Sequence, residues 1–279
     1  MNQKVYWVVE NGGGNRESAD LIKKSLKKKD IPFRDIGMSF FWSKEKDTDK
    51  IFPNDYCVVT YGSIVFNNSF NNKWWIPGNN GETYRYHCSS YYSYFQEYLL
   101  NHDHLFFPIH ELQIQWDLIQ KYLNTTDKIY MRPNYAHKPF TGQLIEKQHI
   151  QEFIDAYIEP LMVVVSSPKK IDEEWRVLIC DREVICATPY LINDELVNEQ
   201  QAKEKTINPK IIELAEKIAQ IEWRPDNFFI LDVAMYQNNA YLIEINRFNT
   251  SGLYYIDTDL VVEKISQAAL KEYKEEWDI

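Results

Sequence analysis

The stretch Phe228-Phe-Ile-Leu-Asp232-Val-Ala-Met-Tyr-Gln237-Asn-Asn-Ala-Tyr-Leu-Ile-Glu244-Ile-Asn246-Arg-Phe-Asn-Thr-Ser-Gly252 decides how the chain is read. Two runs rich in Ile, Leu, Val and Phe flank Asn238 and Asn239, the signature of a β-hairpin with largely buried strands. Asp232 interrupts the first run, and Glu244 and Asn246 interrupt the second. Side chains alternate between the faces of a strand, so Glu244 and Asn246 share a face and the turn decides whether Asp232 joins them. A two-residue turn at Asn238 and Asn239 would set Asp232 opposite Ile245. A three-residue loop, Gln237 to Asn239 with one Asn left-handed, sets Asp232 opposite Glu244. The hydrophobic pattern favours the longer loop, because it gathers Phe229, Leu231, Val233, Ile243 and Ile245 on one apolar face.

Two carboxylates and an amide oxygen then converge. Such a group is costly to bury without a cation. Hard oxygen ligands with no His or Cys suit magnesium, or manganese, held together with substrate phosphates. The alternative is a half-exposed hairpin whose polar residues face water. The flanking runs are too apolar to favour it.

A chain of 279 residues has room for two modest domains. Lys and Arg number 31 against 41 Asp and Glu, a formal net charge of −10, which argues against a general polyanion or nucleic-acid binder. The N-terminus has only a short apolar run that ends at Glu10, and no segment approaches membrane-spanning length, so a soluble, cytoplasmic protein is expected. Cys57, Cys88, Cys180 and Cys186 form no metal-ligand spacing and no disulfide framework.

Lys4 to Val9 reads as a buried strand. The Gly12-Gly13-Gly14 loop and a helix from Glu17 to Lys29 follow it, making the first βα unit of an α/β domain. The glycines are either a plain βα turn or a close approach to a phosphate or carboxylate; they match neither nucleotide-loop fingerprint. Further strands are expected at Pro32 to Ile36 and Tyr56 to Thr60. The aromatic stretch from Phe66 to Tyr86 has no clear period, and Ser89 to Leu100 is helical. A domain boundary is placed near 104, dividing an N-terminal α/β domain (1–104) from a second domain (105–279). The pair His102 and His104 needs no metal to explain it.

In the second domain, Lys128 to Arg132 is a strand, followed by a loop bearing Lys138 and ending Thr141-Gly142. That loop is either an ordinary basic surface loop or a cover that closes over a polyphosphate. Leu161 to Ser166 is a β-branched strand, and Ile171 to Cys180 with Glu183 to Thr188 is a hairpin turning at Asp181-Arg182. Arg176 shares a face with Glu174, as a structural ion pair or as a phosphate clamp.

In order and spacing, the stretches Met131-Arg132-Pro133, Lys138-Pro139-Phe140-Thr141-Gly142, Ser166-Ser167-Pro168-Lys169, Glu174-Trp175-Arg176, Leu231-Asp232-Val233-Ala234 and Ile243-Glu244-Ile245-Asn246 resemble the ATP-grasp superfamily. They are most similar to its clade named for two arginines and a lysine. The resemblance covers roughly the last two-thirds of the chain. It implies an ATP-grasp fold, two α+β subdomains clasping ATP, preceded by a small α/β domain on the substrate side.

Position by position, the resemblance implies that Asp232, Glu244 and Asn246 hold magnesium ions and that Arg132, Lys138 and Arg176 bind the phosphates. The strand containing Val164 and Ser166 would face adenine, with Glu174 in the same nucleotide site. Arg247, beside the metal ligands, is placed as a second catalytic cation with Arg176. The implied chemistry joins a small-molecule, peptide or protein carboxylate to an amine through an acyl phosphate. Two alternatives stand beside it. One is a nucleotidyl-transferring ligase using Lys138, although the Lys-x-Asp-Gly pattern is missing; the other is an ATP-binding sensor without turnover.

Overall fold

Buried Trp7, Val8 and Val9 make the centre of the first strand, β1 (Val5–Asn11). In the computed structural model, which describes residues 5–13, 15–37, 57–70, 82–157 and 161–277, β1 lies between β2 (Phe33–Gly37) and β3 (Cys57–Tyr61) in a parallel sheet. Helix α1 (Arg16–Lys28) covers one face through Ala19, Ile22 and Leu26. The short helices α2 (Ile64–Asn68) and α3 (Cys88–Phe95) follow. Of the readings above, Lys4, Gly14, Tyr56 and residues 71–81 of the aromatic stretch lie outside the described residues.

A second sheet runs β4-β7-β5-β6, from β4 (Leu105–Pro108), β5 (Lys128–Pro133), β6 (Gln143–Glu146) and β7 (Met162–Ser166). Leu112, Trp116 and Ile119 of α4 (Leu112–Leu123) and Ile150 of α5 (Ile150–Ala156) pack against its Ile129, Met131, Val163 and Val165. The third sheet is antiparallel, in the order β10-β9-β8-β11-β12, where β8 is Glu173–Cys180, β9 Glu183–Ile192, β10 Glu195–Leu196, β11 Phe228–Tyr236 and β12 Asn239–Arg247. The β8–β9 turn at Asp181 and Arg182 has φ of 48° and 67°, the left-handed pair that matches the twist of a two-residue hairpin. The segment from Asp194 to Asn208 holds β10 and α6 (Glu199–Glu204), whose capping box is formed by Asn198 and Gln201.

Two cores sandwich the third sheet. On one face Trp175, Val177, Ile179, Phe229, Leu231 and Val233 meet Ile211, Leu214 and Ile218 of α7 (Pro209–Gln220). On the other, Leu178, Phe228 and Ile230 join Trp7, Val9, Ile22 and Leu26, together with Val261, Val262 and Ile265 of α8 (Thr258–Trp277). The last helix therefore closes over the first sheet, and the Trp7 indole donates to Ser266 Oγ at 2.9 Å.

The central hairpin reaches the expected register by an unexpected route. Its turn has two residues, Gln237 and Asn238, at φ 49° and 60°, so Tyr236 pairs with Asn239. Left alone, this turn would bring Ile243 opposite Asp232. A β-bulge between Asp232 and Val233 adds one residue to β12, and Asp232 pairs with Glu244 after all. The bulge corrects the expected apolar face as well. Leu242 enters the core, while Ile243 turns to the cavity beside Glu244.

Candidate functional site

Asp232 sits mid-strand on β11, directly across from Arg176 of β8 on one side and Glu244 of β12 on the other. Arg176 holds it with two hydrogen bonds, Nε to Oδ1 at 2.9 Å and Nη2 to Oδ2 at 2.7 Å. Asp232 is 2% exposed and Arg176 8%, so neither charge is relieved by bulk water. Of the two readings of Arg176, the ion pair with Glu174 does not form among the described residues; Tyr190 donates to Glu174 instead. Tyr190 and Tyr254 stack at 5.0 Å, and the Arg176 guanidinium lies 5.4 and 4.8 Å from their ring centroids.

Glu244 is gripped from the other sheet. Arg132, on β5, donates Nη2 to Glu244 Oε2 and Nη1 to the Ile243 carbonyl. Lys138, at a positive φ of 43°, donates Nζ to Glu244 Oε1. Asn246 closes the group. Its Nδ2 lies 3.0 Å from Asp232 Oδ2 and 2.9 Å from Glu244 Oε1, bridging two carboxylates that would otherwise repel.

These contacts set the ionisation. Burial works against the Glu244 charge, yet Lys138 and then Arg132 outweigh it and hold the carboxyl well below its ordinary range. Burial keeps the Asp232 carboxyl above its ordinary value despite Arg176, with the Glu244 charge adding to the effect. Glu174 is raised by burial and by the charges of Asp232 and Glu244, against the Tyr190 hydrogen bond. Three carboxyls therefore crowd one region, compensated by Arg132 and Arg176 from two sheets and by Lys138 from the loop between β5 and β6.

The space between the sheets is a cavity of about 470 Å³ whose wall includes Arg132, Lys138, Arg176, Asp232, Glu244 and Glu174. That volume is within the range of small-ligand pockets. Gly142 shapes its rim, since a Cβ there would come within 2.1 Å of the Tyr130 hydroxyl and 3.2 Å of Arg132 Cβ. Among the described residues no cluster of three or more His, Cys, Asp or Glu side chains is placed to hold a metal ion. The candidate set is instead two carboxylates and an amide. Turning the Asn246 amide over would present its oxygen as the third hard donor, so these side chains fit magnesium or manganese.

Two expected placements differ. Val164 lies inside the apolar core on a central strand, paired with Phe106 of β4 and Arg132 of β5, so its backbone is committed to the sheet. Ser166 is fully buried, and among the described residues its hydroxyl has no hydrogen-bond partner. The cavity wall begins one residue later, at Ser167, and continues at Lys169, which pairs with Asp103 at 2.7 Å. Arg247 is not brought to the cavity. It follows Asn246 on the strand and points the other way, donating to Asn68 Oδ1 and Thr83 Oγ1 at 3.3 and 3.1 Å. Tyr190, Tyr254 and Lys169 were not singled out from sequence as site residues, since a lone Tyr or Lys on a strand or loop carries no spacing signal. His104 contacts the Asn101 carbonyl and packs edge-on against Tyr92 and Phe106, and the four cysteines are free thiols.

A nucleotide-sized cleft between two α+β sheets, with cations from both converging on strand carboxylates, is the architecture of the ATP-grasp fold. The chain belongs to the ATP-grasp domain family that is the second of the clade named for two arginines and a lysine, whose model matches residues 113–264. Similar solved structures include a D-alanine–D-alanine ligase from Bacillus anthracis complexed with ATP, 13% identical over 98% of this chain and 99% of that one, TM-score 0.62. The D-alanyl-alanine synthetase A from Vibrio cholerae O1 biovar eltor is 14% identical over 99% and 100%, TM-score 0.64. D-cycloserine synthetase DcsG is 8% identical over 95% and 99%, TM-score 0.66. No curated protein matches the sequence. No helix among the described residues is long and apolar enough to cross a membrane.

Proposed function

We propose that the chain is an ATP- and magnesium-dependent carboxylate–amine ligase that forms an amide or peptide-like bond through an acyl phosphate. The observation that carries this reading is the convergence of Arg132, Lys138 and Arg176 on Asp232 and Glu244 within one nucleotide-sized cavity. Similar folds are found in ligases, one of them with ATP bound.

In this reading the triphosphate enters between the sheets, and the three cations exchange carboxylate partners for phosphate oxygens. Magnesium, held by Asp232, Glu244 and Asn246, would supply positive charge against the phosphates. Arg176, fixed at Nη1 by the Gly252 carbonyl at 2.6 Å and flanked by Tyr190 and Tyr254, is aimed before substrate arrives. A carboxylate oxygen of the acid attacks the γ-phosphorus, the bond to the bridging oxygen breaks, and ADP leaves. The amine nitrogen then attacks the acyl carbon, phosphate leaves, and the surplus proton passes to solvent. The protein supplies no nucleophile; it positions the reactants and stabilises charge on the phosphoryl oxygens. Arg247 serves as a tie that joins the hairpin to the Asn68 and Thr83 segments.

Product analysis tests the reaction. With magnesium, ATP and pools of amino acids and peptides, ADP and phosphate are expected in step with a new amide. AMP and pyrophosphate, with an adenylate on Lys138, would point to nucleotidyl transfer. Nucleotide binding without product from any pool would point to a sensor.

A further inference from the structure

A second cavity, of about 870 Å³, adjoins the first, and Tyr254 lines both. It runs along α1. At its inner end, Asn15 Nδ2 donates to the Thr250 carbonyl at 2.7 Å and the Leu253 amide donates to Ser18 Oγ at 2.8 Å. At its outer end, Ser25 Oγ lies 2.9 Å from Thr258 Oγ1, and Lys28 pairs with Asp259. The inner end abuts Gly252, whose carbonyl holds Arg176.

Other charges along this wall are already engaged: Arg16 lies 3.9 Å from Asp20, and Asp257 Oδ1 accepts from the Asp259 amide at 3.0 Å. Glu17, Leu21, Lys24 and Lys28 form one helix stripe facing the cavity. Lys28 is engaged by Asp259, and across the cavity Lys203 is engaged by Glu199 at 2.7 Å. Among the described residues neither Glu17 nor Lys24 has an ion-pair partner. Glu17 lies at the end nearer Arg176, and Lys24 lies seven residues further out, about 10 Å along the helix axis. An extended peptide advances about 3.3–3.6 Å per residue, so roughly three residues span that distance.

We infer that this cavity takes the amine-bearing substrate, and that this substrate is a short peptide of about three residues. Its amino group lies by Glu17, at the end nearer the reaction centre, and its carboxylate is read by Lys24. The inference rests on the ligase reading above. It adds the substrate class, the direction in which the substrate lies, and the residue that measures its length. Tyr254, at a left-handed φ of 48° and partly exposed, is the wall past which the amine reaches the first cavity.

The test titrates the full chain, loaded with magnesium and a non-hydrolysable ATP analogue, with alanine, dialanine, trialanine and trialanine amide, by calorimetry. Trialanine is expected to bind at least tenfold more tightly than alanine and several-fold more tightly than its amide. Lys24→Glu is expected to remove the preference for the free carboxylate and leave nucleotide affinity unchanged; Lys24 is exposed and has no ion-pair partner among the described residues, so the fold tolerates it. Equal affinity for alanine and trialanine, a carboxylate preference that survives Lys24→Glu, or no binding by any of the four would overturn the inference. ADP release from other substrates distinguishes that failure from failure of the ligase reading, which falls only if no acid and amine pair yields ADP.

Discussion

Arg176 and Asp232 face each other across two strands and share two hydrogen bonds, 2.9 and 2.7 Å long, with almost no solvent contact. The attraction between them offsets the cost of removing two charges from water, and the balance depends on both being present. Asp232→Asn should leave a buried guanidinium without its counter-charge and cost about 3–5 kcal/mol of stability. The double change Arg176→Met with Asp232→Leu should cost less than that single change. Urea unfolding of the two variants checks this; a double variant as unstable as the single would show that the pair itself dominates the site's stability.

The bulge, not the turn, sets the register. Gln237 and Asn238 both stand at positive φ, which costs non-glycine residues about 1–2 kcal/mol each. An Asn-Gly turn, made by Gln237→Asn with Asn238→Gly, should stabilise the chain by about 1 kcal/mol and raise Tm by about 2–4 °C. It should leave nucleotide affinity unchanged, because the pairing of Asp232 with Glu244 is restored upstream of the turn. Loss of ATP binding in this variant would contradict the assignment of register to the bulge.

Much of this was legible in sequence. The hairpin was marked by its apolar runs; the meeting of Asp232 and Glu244 was expected from a three-residue loop, where the chain has a two-residue turn and a bulge. The bulge was not, because Ile243 is as acceptable in a core as against a ligand, and only three-dimensional pairing shows on which strand the extra residue falls. Adjacency misplaced Arg247: a residue next to Asn246 on the strand faces away from it. The strands β4 and β6 are four residues each and lack a run long enough to show a period. Arg132, Lys138 and Arg176 were legible only as a set, through their order along the chain.

Glu244 makes stability depend on acid. Its folded-state carboxyl lies below the ordinary value of 4.5, because Lys138 and Arg132 outweigh burial. The stabilisation is therefore complete above about pH 4.5 and is lost as pH falls through the depressed folded value. Glu244→Gln lacks this proton uptake. Urea midpoints from about pH 6 to about pH 3 should converge between wild type and variant as pH falls. Parallel curves would show that Glu244 does not titrate with folding.

Lys138 separates binding from stability. Its side chain is 39% exposed, so Lys138→Met should change the stability of the free chain by less than about 1 kcal/mol. The same change should weaken ATP binding about tenfold, the equivalent of about 1.4 kcal/mol, by removing a charge-assisted hydrogen bond to phosphate. Calorimetric titration with magnesium and ATP measures it. An unchanged Kd would leave Lys138 as a partner of Glu244 alone.

The central claim is that Asp232, Glu244 and Asn246 hold a magnesium–nucleotide complex, and the melting temperature with and without ligand tests it most directly. With magnesium and ATP at about 100 times Kd, the wild type should gain about 2.7 kcal/mol and melt several degrees higher. Glu244→Ala should lose most of that shift. An equal shift in both proteins would contradict the assignment.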